Sequence, residues 1–162
     1  MKLKIFVSLC AIVLCIKFSF SQEIKFTTIL SYFKSKDEEY IKDKLKDQKF
    51  LISKERKSDV DFFDTRIDAS KQPTTSIVSF RAVSILKIGG NIVSLSYATM
   101  SNSDFTGKVK EVKQNGFRLA SQGGGSQWIY ENGTIIIAIE KKSIMVKGKS
   151  FIRYEIGISD TD

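Results

Sequence analysis

Four carboxylates, Asp59, Asp61, Asp64 and Asp68, stand close together in the chain, and carboxylate oxygens are the donors Ca²⁺ takes. An EF-hand loop needs a glycine at its sixth position and a glutamate at its twelfth; neither is present, and Phe62-Phe63 breaks the polar run. Mixed charge on a sheet edge explains the cluster without a metal. Ser31-Tyr32-Phe33-Lys34 and Ser84-Ile85-Leu86-Lys87 have the Ser-x-x-Lys spacing with which some acyl enzymes pair a serine nucleophile with a lysine. In a chain this rich in serine and lysine, two such matches are what chance supplies. Gly123-Gly124-Gly125 offers backbone N–H groups to an anion, but no helix follows directly, so it reads as a link between strands. Asn132-Gly133-Thr134 has the form of a glycosylation acceptor, and a hairpin turn accounts for it fully.

The residue types exclude more chemistry than they suggest. There is no histidine, and the two cysteines, Cys10 and Cys15, both lie near the N-terminus. Residues 1–21 read as an export signal: Lys2 and Lys4 precede an apolar run from Ile5 to Ile16, and Ser19 and Ser21 flank Phe20 ahead of Gln22. The run is too short for a spanning helix, which needs roughly 20 residues. Leu9 and Leu14 precede the cysteines where a lipoprotein would carry a small residue. The ending Ser19-Phe20-Ser21-Gln22 resembles the export signals of secreted proteins of the Bacteroidota. Cleavage before Gln22 is expected to leave a single domain, 22–162, without cysteine, and so without disulfides, thiol nucleophiles, imidazole bases or the usual Cys/His zinc sites. It also removes three lysines, lowering the formal charge from +8 to +5. Lys108, Lys110, Lys113, Lys141, Lys142, Lys147, Lys149 and Arg153 gather in the last third, but interleaved acids nearly balance them, which argues against nucleic acid.

The elements that must position any site follow from periodicity. Residues 23–30 read as a first strand, with Ile24, Phe26 and Thr28 on one face. Ser35-Lys36-Asp37-Glu38 fits a capping box, opening a helix to about Lys49 that buries Ile41 and Leu45. Strands are expected at 50–52, 62–67 and 76–88, with 71–75 a loop. Gly89-Gly90 is expected to turn the chain into a strand to about Thr99, opposing Leu86 to Val93, Ser84 to Leu95 and Ala82 to Tyr97. A second helix, capped by Ser101 or Ser103, buries Phe105, Val109 and Val112 and ends at Asn115-Gly116. Strands at 117–121 and 151–158 frame a central hairpin about Asn132-Gly133, whose two-residue turn would oppose Trp128 to Ile137. Residues 143–149 read as a short strand or turn.

This order predicts an α+β fold: an antiparallel sheet with two helices packed on one face. Gln48-Lys49-Phe50-Leu51-Ile52 aligns with Asn115-Gly116-Phe117-Arg118-Leu119, and Leu45 with Val112. Either a duplicated βαβββ unit, 23–88 and 91–158, or the general likeness of helices running into strands accounts for this. The layout resembles the helix-on-sheet tandem units of secreted β-lactamase-inhibitor-like proteins; the resemblance is one of layout and brings no functional residue with it. The function expected is that of an exported, periplasmic or secreted, non-enzymatic binding domain for an unknown protein or envelope component. It would have no cofactor, no metal and no membrane span after cleavage. The alternative is a carrier holding an apolar ligand between helices and sheet. Trp128 and Tyr130 are the candidate binding residues, as aromatic anchors if they face outward; a lone tryptophan among isoleucines otherwise belongs to the core.

Overall fold

The computed structural model describes residues 24–59, 62–71, 77 and 80–161; the expected export signal, residues 1–21, lies outside them. The described residues form an α+β fold of three helices and a nine-stranded antiparallel sheet. The helices are α1 (Phe26–Ser35), α2 (Glu38–Asp47) and α3 (Asn102–Gln114). The strands are β1 (Leu51–Ile52), β2 (Arg56–Lys57), β3 (Thr65–Lys71), β4 (Arg81–Ile88), β5 (Asn91–Thr99), β6 (Arg118–Gly123), β7 (Gln127–Asn132), β8 (Ile135–Val146) and β9 (Lys149–Asp160). Their order across the sheet is β1-β3-β4-β5-β9-β8-β7-β6, with β2 also on β3. The loop at 71–75 and the first part of the expected 76–88 strand lie largely outside the described residues.

Residues 26–35 form a helix where a strand was expected. Thr27 and Thr28 favour extended chain locally, but Phe26, Ile29, Leu30 and Phe33 recur at the helical period, and all are buried. No side chain of its own caps α1. Glu111 of α3 does so instead, its carboxylate accepting from the Phe26 N–H at 2.7 Å. The expected capping box is displaced too. Ser35 closes α1 by donating to the Tyr32 carbonyl, while Asp37 caps α2 and accepts from the Tyr40 N–H at 3.0 Å. Ile41 and Leu45 are buried as expected, and Ser101 caps α3.

Both α2 and α3 stop in the same way. Phe50 N–H donates to the Leu45 carbonyl and Lys49 N–H to Lys46; Phe117 N–H donates to Val112 and Gly116 N–H to Lys113. This is the Schellman pairing, with a left-handed residue after the helix: Lys49 at φ 67° and Gly116 at φ 82°. The aligned segments 48–52 and 115–119 are therefore equivalent in structure. A βαβββ repeat is not what surrounds them, since the first half begins with a helix. Each of α2 and α3 instead leads into a meander that ends on β5 or β9.

The hairpins correct the expected registers. Gly89-Gly90 does form the two-residue turn, pairing Ile88 with Asn91, but a bulge at Leu86/Lys87 shifts the ladder so that Leu86 faces Ser94, Ile85 faces Leu95 and Val83 faces Tyr97. In the central hairpin the turn residues are Gly133-Thr134, and Asn132 pairs with Ile135. Gly133 has φ 62° and Thr134 has no positive φ, the type II′ pattern with glycine first. The Asn132 amide holds its own place in the strand by donating to the Asn115 carbonyl at the end of α3. Trp128 consequently faces Ile139, and Tyr130 faces Ile137. This slip is even, so Trp128, Tyr130, Ile135, Ile137 and Ile139 share one face in either register. β8 and β9 pair over their whole length, absorbing residues 143–149 into a single long hairpin.

Two cross-strand rows form the sheet's contribution to the core. One is Ile67, Ile85, Leu95, Ile158, Ile137 and Tyr130; the other is Ala69, Val83, Tyr97, Ile156, Ile139 and Trp128. With Phe26, Ile29, Phe33, Ile41, Leu45, Phe105 and Val112 they make one hydrophobic cluster, Trp128 at its margin. Lys49→Gly is expected to stabilise the fold by about 0.5–1 kcal/mol, since glycine takes φ 67° without a Cβ penalty, whereas Gly116→Ala should cost about as much or more. Denaturant midpoints of both variants check this; a destabilised Lys49→Gly would contradict it.

Candidate functional site

Between the two apolar rows lies a third, on the opposite side of the sheet: Asp68, Ser84, Ser96, Gly157, Ala138 and Ile129. Ala82, Ala98, Ser94 and Ser159 flank it. This face is built from small side chains at its centre, and none of these residues belongs to the hydrophobic cluster.

Charged side chains border it on the β3 side. Arg66 donates from Nε to Asp68 Oδ1 at 2.8 Å, from one terminal nitrogen to Asp59 at 2.9 Å and from the other to the Ser84 hydroxyl at 3.1 Å. Ser84 in turn donates to Asp68 Oδ1 at 2.7 Å, and Arg56 reaches Asp68 at 3.2 Å. Burial pushes the Asp68 carboxyl up, but Ser84, Arg66 and Arg56 more than offset this and hold it below the usual carboxylate range. Asp59 is held low by its own backbone N–H and by Arg66. Asp64 accepts from the Gly89 N–H at 2.7 Å. The carboxylates thus serve cations and a turn separately, Asp61 lies outside the described residues, and among the described residues no cluster suits a metal ion.

The Ser-x-x-Lys spacings do not bring serine and lysine together. Lys87 donates to Glu38 at 2.7 Å and Glu55 at 2.8 Å, while Ser84 is committed to the Arg66–Asp68 pair. Ser31 donates to the Thr28 carbonyl of its own helix. Gly124 and Gly125, at φ 51° and 70°, turn the chain between β6 and β7.

Tyr130 is buried in the core. Trp128 is half-buried at the core's margin, where the Lys141 ammonium lies 5.1 Å from its ring, 5.5 Å from Phe105 and 5.9 Å from Tyr154. Phe105 and Tyr154 stack with centroids 4.5 Å apart. The Lys141 stem and ammonium cover this aromatic end of the core.

At the end of the sheet where β8 and β9 extend furthest, an apolar pocket of about 640 Å³ is lined by Ile77, Phe80, Met100, Val146 and Phe151, with Lys147 and Lys149 beside them. Val146, Lys149 and Phe151 share the face of Gly157 and Ala138 by strand alternation, so the pocket opens on the small-residue face. Sequence reasoning missed it because its walls come from three separate segments.

It also missed a buried ion cluster where β4, β5 and α3 meet. Asp104, with a fully buried carboxylate, receives Lys108, Arg81 Nε at 2.7 Å and the Tyr97 hydroxyl at 2.6 Å. The i,i+4 spacing of Asp104 and Lys108 was a readable signal; the arrival of Arg81 from another element was not. These groups answer one another and pin α3 to the sheet. The chain matches no protein-family model, no curated protein and no solved structure.

Asp104→Ala is expected to cost about 3–5 kcal/mol, because it strands two buried cations, whereas the triple change Asp104→Ala, Arg81→Met, Lys108→Met should recover much of the loss. Urea denaturation reads both, and a triple variant no better than the single one would refute this account. The depressed Asp68 contributes stability above its unfolded pKa of about 3.9 and loses it as pH falls through the lower folded value. Asp68→Asn should therefore flatten the acid limb of melting temperature below about pH 5; an unchanged limb would show that the pair carries no linkage.

Proposed function

We propose that this chain is an exported, non-enzymatic binding domain that presents the small-residue face of its sheet to a partner in the cell envelope or beyond. The observation that carries the reading is the asymmetry between the two sides of the sheet. Every helix residue of the hydrophobic cluster joins the isoleucine rows, and the row Asp68, Ser84, Ser96, Gly157, Ala138 has no helix residue among its neighbours in that cluster. On this reading the helices cover one face. The other face has small side chains at its centre, of which Ala138 is exposed and Ser84, Ser94 and Ser96 are buried, with charged side chains at one margin and an apolar pocket at one end.

The alternative placed an apolar ligand between helices and sheet. That space is filled by Phe26, Ile29, Phe33, Tyr97 and Phe105, which favours recognition on the outer face. A common ancestry of the halves α2–β5 and α3–β9 would fit their matching helix ends and mirrored strand order.

Ala138 is exposed at the middle of the face, and Asp43 lies on the solvent side of α2. A photo-crosslinking amino acid at Ala138, expressed in the source envelope, should yield a discrete adduct absent from the same label at Asp43. Excess unlabelled wild-type chain should suppress that adduct, whereas an Ala138→Arg chain, with stability within about 0.5 kcal/mol of wild type, should not. Equal labelling from both positions would sink the proposal.

A further inference from the structure

We infer that the apolar pocket at the β8–β9 end of the small-residue face binds a single-chain amphiphile with an anionic head, a long-chain carboxylate; the inference rests on that face being the binding surface. Ile77, Phe80, Met100, Val146 and Phe151 are each only partly buried, so the pocket leaves apolar surface in water that an aliphatic chain would cover. Its volume, about 640 Å³, falls within the range of about 300–1,000 Å³ typical of ligand sites. Among the described residues the lining offers no hydroxyl, amide or carboxylate side chain, which suits a ligand apolar along its buried length.

The rim supplies the other half of the argument. Lys147 and Lys149 flank Gly148 in the tight β8–β9 turn, where Lys147 at φ 49° and Gly148 at φ 75° set a two-residue reversal. Both ammonium groups are exposed and have no carboxylate partner among the described residues. The acids on the same hairpin are already engaged: Glu140 with Lys142 at 2.7 Å and Glu155 with Arg153 at 3.5 Å. Two unanswered cations beside an apolar pocket complement a ligand with a negative head and an aliphatic tail. A head of one or two charges can lie between them while the tail enters.

The test uses the purified chain and a fluorescent fatty acid, dansyl-undecanoate, displaced by oleate or by oleyl alcohol below their aggregation limits. Saturable one-to-one binding is expected, with oleate displacing the probe about tenfold better than the alcohol. Lys147→Ala with Lys149→Ala should erase that preference. Val146→Asp should abolish binding at an unchanged melting temperature. The site is overturned by absent or unsaturable binding, by Val146→Asp binding as wild type, or by binding to anionic lipid vesicles but not to oleate. Equal affinity for acid and alcohol overturns the anionic head. Loss of oleate binding with the Ala138 adduct intact rejects the ligand and spares the surface; loss of both rejects the surface as well.

Discussion

The antiparallel pairing of β5 with β9 is the constraint on which the rest of the structure depends. It joins two meanders that would otherwise be separate, and it does so in the register that aligns Leu95 with Ile158 and Tyr97 with Ile156. Because side chains alternate across a strand, that register makes both isoleucine rows continuous from β3 to β7. A slip of one residue at the seam would turn the rows of one half toward solvent and set Ser94, Ser96 and Ala98 against the helices. The bulge at Leu86/Lys87 serves the same end, since it re-phases β4 against β5 so that Ile85 and Val83 meet Leu95 and Tyr97.

Much of this was legible in the sequence, and the failures have physical causes. The turns at Gly89-Gly90 and near Gly133 and the buried pair Ile41 and Leu45 are local signals, and local reasoning found them. The first helix was misread because a short window from Ile24 to Thr28 alternates like a strand. Only the longer set reaching Phe33 shows the helical period, and burial decides between them. The bulge was invisible because nothing in a hairpin sequence forbids an unpaired Val93. For the candidate site, the separate residues could be read but their meeting could not. Arg66, Asp68 and Ser84 converge through the β3–β4 register, and Phe80, Met100 and Phe151 through strands far apart in the chain.

The two sides of the sheet divide its labour by side-chain size. Isoleucine, leucine, valine and tyrosine fill the side joined to the helices, where close packing supplies stability. Serine, alanine and glycine occupy the centre of the other side, where Ser84, Ser94, Ser96 and Ala98 are themselves buried. The buried Asp104 cluster complements this arrangement: it ties α3 to the sheet through directional ion pairs, where apolar contact is non-directional.

The bulge between Leu119 and Ser121 in β6 has a consequence for life at high concentration. β6 is an outermost strand of the sheet, exposed along its length, and a straight edge of that kind is a template for adding further chains. The kink, with Gly123 and Arg118 at the two ends, interrupts the regular spacing of unpaired N–H and C=O groups that an incoming strand would need. At the other margin β1 has only two residues, too few to seed a neighbour. Both borders of the nine-stranded sheet thus offer an incoming strand little regular edge to pair with.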